Sequence, residues 1–167
     1  TAGKSPNLAS VCEGTTLTLT GVTDNGGGTG SCSIEYRYDN GSGFSLWSTT
    51  LPSFAGVAGT NTIEIRKNCN GSGCDLSPVN SYSWTVNAPP SCSINGASGA
   101  CSNSVGNVYS VTGSITLYSW SVTGNGSIIG SATGSSISVT AGTSGYYAVN
   151  VTITDANGCI SDCSKTV

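Results

Sequence analysis

The chain has 167 residues, of which 37% are hydrophobic and only 8% charged, with 24 Gly, no His and a formal net charge of −3. That balance is too apolar for a disordered segment and too acidic for a partner of nucleic acid or anionic lipid, both of which need clustered Lys and Arg. Without His, neither a Ser–His nor a Cys–His nucleophile can be assembled.

In chain order, period-two alternation marks the elements. Leu17 and Leu19 alternate with Thr16, Thr18 and Thr20. Ile34, Tyr36 and Tyr38 alternate with Glu35 and Arg37, and Ile63 and Ile65 with Glu64 and Arg66. Tyr82, Trp84 and Val86 share one face of the next strand, and Tyr118, Trp120 and Val122 one face of another. Ile137 with Val139, then Tyr147, Val149, Val151 and Ile153, close the series. Asn–Gly corners begin at Asn70 and directly follow Asp24, Asp39, Gly124 and Ala156, where Asn and Gly adopt positive φ at little cost. No helical repeat lasts three turns. Short strands at this spacing predict an all-β fold of antiparallel sandwiches.

Asn87-Ala88-Pro89-Pro90 is the expected linker, because consecutive prolines cannot continue a ladder. It divides the chain into residues 1–88 and 89–167, with four cysteines in each half. The halves rhyme around Cys12 and Cys101, and around the strand ends that lead to Cys74 and Cys163. This is an internal repeat. Joining Lys165-Thr166-Val167 to Thr1-Ala2-Gly3 copies the internal junction, so the chain is expected to be one period of a tandem array. No leader-like segment or membrane-spanning apolar run occurs in these residues, and export is expected to be directed from outside them.

Eight cysteines in polar contexts predict an oxidising, extracellular location. The preferred pairing is Cys12–Cys69, Cys32–Cys74, Cys101–Cys159 and Cys92–Cys163, every bridge within its own half. Four cysteines allow three connectivities per half, and hairpin-closing Cys69–Cys74 and Cys159–Cys163 bridges are the alternatives. The same two pairs have roughly zinc-like spacing, but long β-patterns here need no metal to form.

The segments from Cys92 through Cys101, Tyr118-Ser119-Trp120, Ser135–Thr140, Gly145–Asp155 and Asn157-Gly158-Cys159 resemble PKD-like domains of Bacteroidota surface proteins. The first half, with Tyr36–Ser48 and Asn61–Cys74, resembles an immunoglobulin-like repeat of the same large proteins. The resemblance implies two tandem, disulfide-stapled sandwiches acting as spacers, stalks or adhesive repeats at a cell surface. Cys32 and Cys92 exceed the simpler two-cysteine pattern of that family.

Candidate sites are few. The eight acids are scattered, and most fall in turns, so a glycosidase pair is not expected and the chain reads as non-enzymatic. No cofactor is expected; calcium is the one candidate, at the loops starting from Asp24, Asp39 and Asp155. Trp84 and Trp120 read as core. Trp47 alternates against Phe44 and Leu46, which places it on a surface where, with Tyr38, it forms a candidate ligand surface for glycans. Glu35, Arg37, Glu64 and Arg66 read as cross-strand ion pairs between neighbouring strands. The expected function is a structural or adhesive repeat whose partners are neighbouring copies. The alternatives are a carbohydrate-binding module and a filament subunit joined by β-strand addition.

Overall fold

The computed structural model describes residues 1–24, 30–69 and 78–167, which divide into two compact units, Thr1–Ala88 and Pro89–Val167. The turn at Asn70, the residues after Asp24 and Cys74 lie outside the described residues.

Unit one contains β1 (Gly3–Ser5), β2 (Ser10–Cys12), β3 (Thr16–Thr20), β4 (Cys32–Asp39), β5 (Ser53–Ala55), β6 (Gly59–Cys69) and β7 (Asn80–Asn87). One sheet has the order β1-β3-β5 and the other β2-β7-β6-β4. Pro6 cannot donate to a ladder, so β1 stops there and the chain crosses to the second sheet. There β2 runs parallel to β7, an exception to the antiparallel pairing expected throughout. Leu17, Leu19, Ile63, Trp84 and Val86 project inward and are buried. The Trp84 indole donates to the Pro6 carbonyl at 2.9 Å, so its one polar atom is satisfied in the core.

Unit two contains β8 (Asn107–Ser110), β9 (Ile115–Gly124), β10 (Gly126–Ile129), β11 (Ser136–Ala141), β12 (Tyr147–Asp155) and β13 (Ile160–Thr166). Its sheets have the orders β10-β11-β8 and β13-β12-β9. The alternation of Val149, Val151 and Ile153 fills the core together with Tyr109, Trp120 and Val139. The Trp120 indole donates to Gly134 O at 2.8 Å, and the Tyr109 and Tyr147 hydroxyls bond at 2.7 Å. Burial and that bond hold the Tyr109 hydroxyl far above its ordinary pKa. Both units are thus immunoglobulin-like sandwiches.

Gly124-Asn125-Gly126 carries the chain from one sheet to the other. Gly124 has φ +85, and a Cβ there would lie 2.7 Å from the Tyr146 carbonyl oxygen. At Gly126 a Cβ would lie 2.8 Å from the Tyr147 ring. Only glycine fits at these two positions of the corner.

The disulfides correct part of the expected pairing. The β4–β6 register sets Cys32 directly opposite Cys69, and the two are bonded across the strands with Cα atoms 4.0 Å apart. Neither Cys12–Cys69 nor Cys32–Cys74 can then form, and the hairpin-closing Cys69–Cys74 bridge is likewise ruled out. Cys92 is bonded to Cys163, Cα to Cα 5.7 Å, which excludes Cys159–Cys163. Cys101 carries a free, exposed thiol, whereas Cys159 is buried and oxidised, so Cys101–Cys159 is not made. Cys12 is also oxidised.

Candidate functional site

The most site-like side chains of unit one lie on the outer face of its four-stranded sheet. Because β4 and β6 are antiparallel in the observed register, Glu35 faces Arg66 and Arg37 faces Glu64. The ladder is fully braced. Arg66 Nε and Nη2 both approach Glu35 Oε2 at 2.8 Å, and Asn68 donates to Glu35 Oε1 at 2.9 Å. Arg37 Nε and Nη2 both approach Glu64 Oε2 at 2.7 Å, while Ser81 on β7 donates to Glu64 Oε1 at 3.1 Å. The Asn68 amide first, and then Arg66, hold the Glu35 carboxyl below the usual carboxylate range.

Trp47 lies on this ladder. Its ring centroid is 4.0 Å from the Arg66 guanidinium carbon and 4.7 Å from that of Arg37, and Phe44 lies 4.3 Å from Arg37. The expected alternation of residues 44–47 fails for a local reason. Asp39 Oδ1 accepts the N–H groups of Gly41 and Gly43, which tightens the turn and returns the chain along the edge of β4. Tyr36 pairs with Ser48 through both backbone bonds, yet the next bond runs from Ser45 N to Tyr38 O. Two residues on β4 therefore oppose three on the returning segment, a bulge that slips the side-chain phase by one. Phe44 and Trp47 end on the same side, while Leu46 projects outward, 91% exposed.

Tyr38 is not part of this surface. It alternates with Arg37, so it faces the sandwich interior, where it stacks on Phe54 of β5 at 4.6 Å between centroids. The candidate pair Trp47 and Tyr38 is split across the two faces of β4. The surface that exists instead comprises half-buried Trp47, partly exposed Phe44 and outward Leu46 beside the Arg–Glu ladder. The sequence signal that could have located it was the extra residue between the Asp39 turn and Ser48, which is visible only once the register with β4 is known.

The calcium candidates resolve differently. Asp39 is occupied by the two glycine amides, and Asp155 Oδ1 accepts Asn157 N and Cys159 N, each at 2.9 Å. Both are Asx turns in which the carboxylate serves the backbone. Asp24 pairs with Lys67 at 2.8 Å. Among the described residues no group of three or more acids, His or Cys is placed to hold a metal ion.

Residues 87–167 match the family model of the PKD-like domain. No curated protein is significantly similar to the chain. Among solved structures, it is similar to the fibronectin(III)-like modules of CbhA from Clostridium thermocellum, with 16% identity over 99% of this chain and 92% of that one, at a TM-score of 0.37. It is also similar to SGBP-B of the Bacteroides ovatus mixed-linkage glucan utilization locus, solved with a mixed-linkage heptasaccharide. There the identity is 13% over 95% of this chain, which spans 42% of that protein's length, at a TM-score of 0.27.

Proposed function

We propose that the chain is a non-enzymatic, tension-bearing repeat of an extracellular surface or fibrous protein. The observation that carries this reading is the Cys92–Cys163 bridge. Its two cysteines are 71 positions apart in sequence and sit close to the two ends of unit two. Force entering near Pro89 and leaving near Val167 passes through the Sγ–Sγ bond rather than through the sheets. Extended chain reaches about 3.4 Å per residue, so the bridge withholds roughly 240 Å of contour from a 71-residue loop even when the sandwich is lost. The Arg–Glu ladder fits the same reading, because its charges brace neighbouring strands.

Single-molecule pulling on the full chain tests it. The oxidised chain should lack the length increment of unit two, and Cys92→Ser with Cys163→Ser should restore about 240 Å of it. If the variant and the parent release the same length, the bridge does not carry load and the reading fails.

A second reading is favoured by Phe44, Leu46 and Trp47, an apolar edge beside donors that suits glycan stacking. Binding on a glycan array that Trp47→Ala abolishes, while thermal stability is held by comparison with Phe44→Ala, would support it. A blank array would remove it.

A further inference from the structure

Every charge of the Arg–Glu ladder in unit one already has its partner, and that restricts what the face can bind. Arg66 uses Nε and Nη2 on Glu35 Oε2, while Asn68 donates to Glu35 Oε1. Arg37 uses the same two groups on Glu64 Oε2, while Ser81 donates to Glu64 Oε1. The four side chains together carry no net charge.

An acidic ligand therefore finds no unpaired cation on the ladder. To obtain one it would have to draw an arginine off its carboxylate. Glu64 and Glu35, whose side chains are only 13% and 16% exposed, would then be left without a counter-charge. A cationic ligand meets the opposite block. Both oxygens of each carboxylate are occupied, and the aromatic rings that attract cations already hold Arg37 and Arg66.

Uncharged chemistry remains open. Among the described residues neither Nη1 group makes a hydrogen bond, and the Arg37 side chain is 31% exposed. Those N–H groups can only donate, so they call for an acceptor oxygen. Phe44 and Leu46 add exposed apolar surface on the segment that also carries Trp47. A pyranose ring offers both complements, oxygens around its rim and C–H groups on its faces.

We infer that this face takes an uncharged glycan and discriminates against both uronic-acid and cationic amino-sugar polymers. The inference rests on the glycan reading of Phe44, Leu46 and Trp47 given above and adds the class of ligand to it.

Calorimetric titration of the full chain with cellohexaose, mannohexaose, hexagalacturonate and a glucosamine hexamer tests it. A neutral hexamer should bind, and Trp47→Ala should abolish that binding. Both charged hexamers should bind at least about tenfold more weakly, equivalent to about 1.4 kcal/mol. Raising salt from roughly 0.05 to 0.5 M should change the neutral affinity by less than about twofold, since no net charge is screened. Glu64→Gln keeps an acceptor for Arg37 but removes the counter-charge, and should raise hexagalacturonate affinity about tenfold. A gain of this kind cannot come from a damaged fold. If a charged hexamer binds as tightly as the neutral ones and Trp47→Ala removes that binding, the ligand class is overturned while the glycan reading stands. If no hexamer binds, both fall. Neutral binding that survives Trp47→Ala, or a Glu64→Gln variant with no gain for hexagalacturonate, equally overturns the inference.

Discussion

Removing the Trp47 ring separates the two readings of unit one. If the indole is a clamp on the ladder, Trp47→Ala loses two cation–π contacts, at 4.0 Å to Arg66 and 4.7 Å to Arg37. At partly exposed sites each is worth about 0.5–1 kcal/mol, and the ring covers apolar stems of the same arginines. The two cation–π contacts together come to about 1–2 kcal/mol, and the covered stems belong to the same contact, so the expected cost is about 2 kcal/mol at most. Trp84→Ala, which empties a site only 1% exposed, should cost about 3–5 kcal/mol. The sharper measurement is a double-mutant cycle of Trp47→Ala with Arg66→Gln, which cancels the separate costs of each change. Coupling of about 1 kcal/mol is expected, and less with Arg37→Gln, whose guanidinium also rests on Phe44. A Trp120→Phe background leaves Trp84 to report unit one by fluorescence during urea unfolding, so the two units are not averaged. Coupling near zero would refute the clamp. The indole would then be free to serve a ligand.

Two further perturbations check the electrostatics and the backbone. Glu35 has a lowered folded-state pKa, so its contribution is present above the unfolded carboxylate pKa and is lost as pH falls through the folded one. Glu35→Gln should therefore flatten the acid limb of unit one's stability between neutral pH and about pH 2, and an unchanged limb would show the carboxylate unpaired in solution. Gly124→Ala should destabilise unit two by about 2 kcal/mol or more, because positive φ and the Tyr146 carbonyl both oppose a Cβ. A neutral effect in thermal melts would mean that the sheet-switching corner differs from the one described.

The strands that carry the core were legible because each shows two or more large apolar residues in strict alternation, as at Leu17 and Leu19 or Val149, Val151 and Ile153. The short strands were not. Gly3–Ser5, Ser10–Cys12 and Ser53–Ala55 are three residues long, and a period cannot be read from three residues. Ile160–Thr166 escaped for another reason: it is an edge strand, paired only with β12, and its Ser161, Asp162, Ser164 and Lys165 do not alternate in hydrophobicity. The ladder could be foreseen because neighbouring strands with Glu-x-Arg in antiparallel order self-complement. The position of Trp47 could not, because one extra residue in the returning edge inverts its side and local sequence does not reveal the register. The cysteines failed similarly, since the Cys32–Cys69 bridge depends on two strand ends falling opposite each other.

The corresponding outer faces of the two units show how one architecture is put to different uses. In unit one that face holds the Arg–Glu ladder with aromatic rings laid over it. In unit two the same face of β13-β12-β9 presents Ser119, Ser121, Asn150, Thr152 and Ser164 around a shallow depression, with Asp162 as its charge and Thr152 hydrogen-bonded to it. A ladder of ion pairs adds only a few tenths of a kcal/mol to about 1 kcal/mol per pair. It resists shear between strands only while the strands remain folded. The Cys92–Cys163 bond, by contrast, joins residues 71 positions apart whether or not the sheets are paired. The unit that carries the exposed aromatic edge reinforces its sheet with charge and rings as well as with the cross-strand Cys32–Cys69 bond.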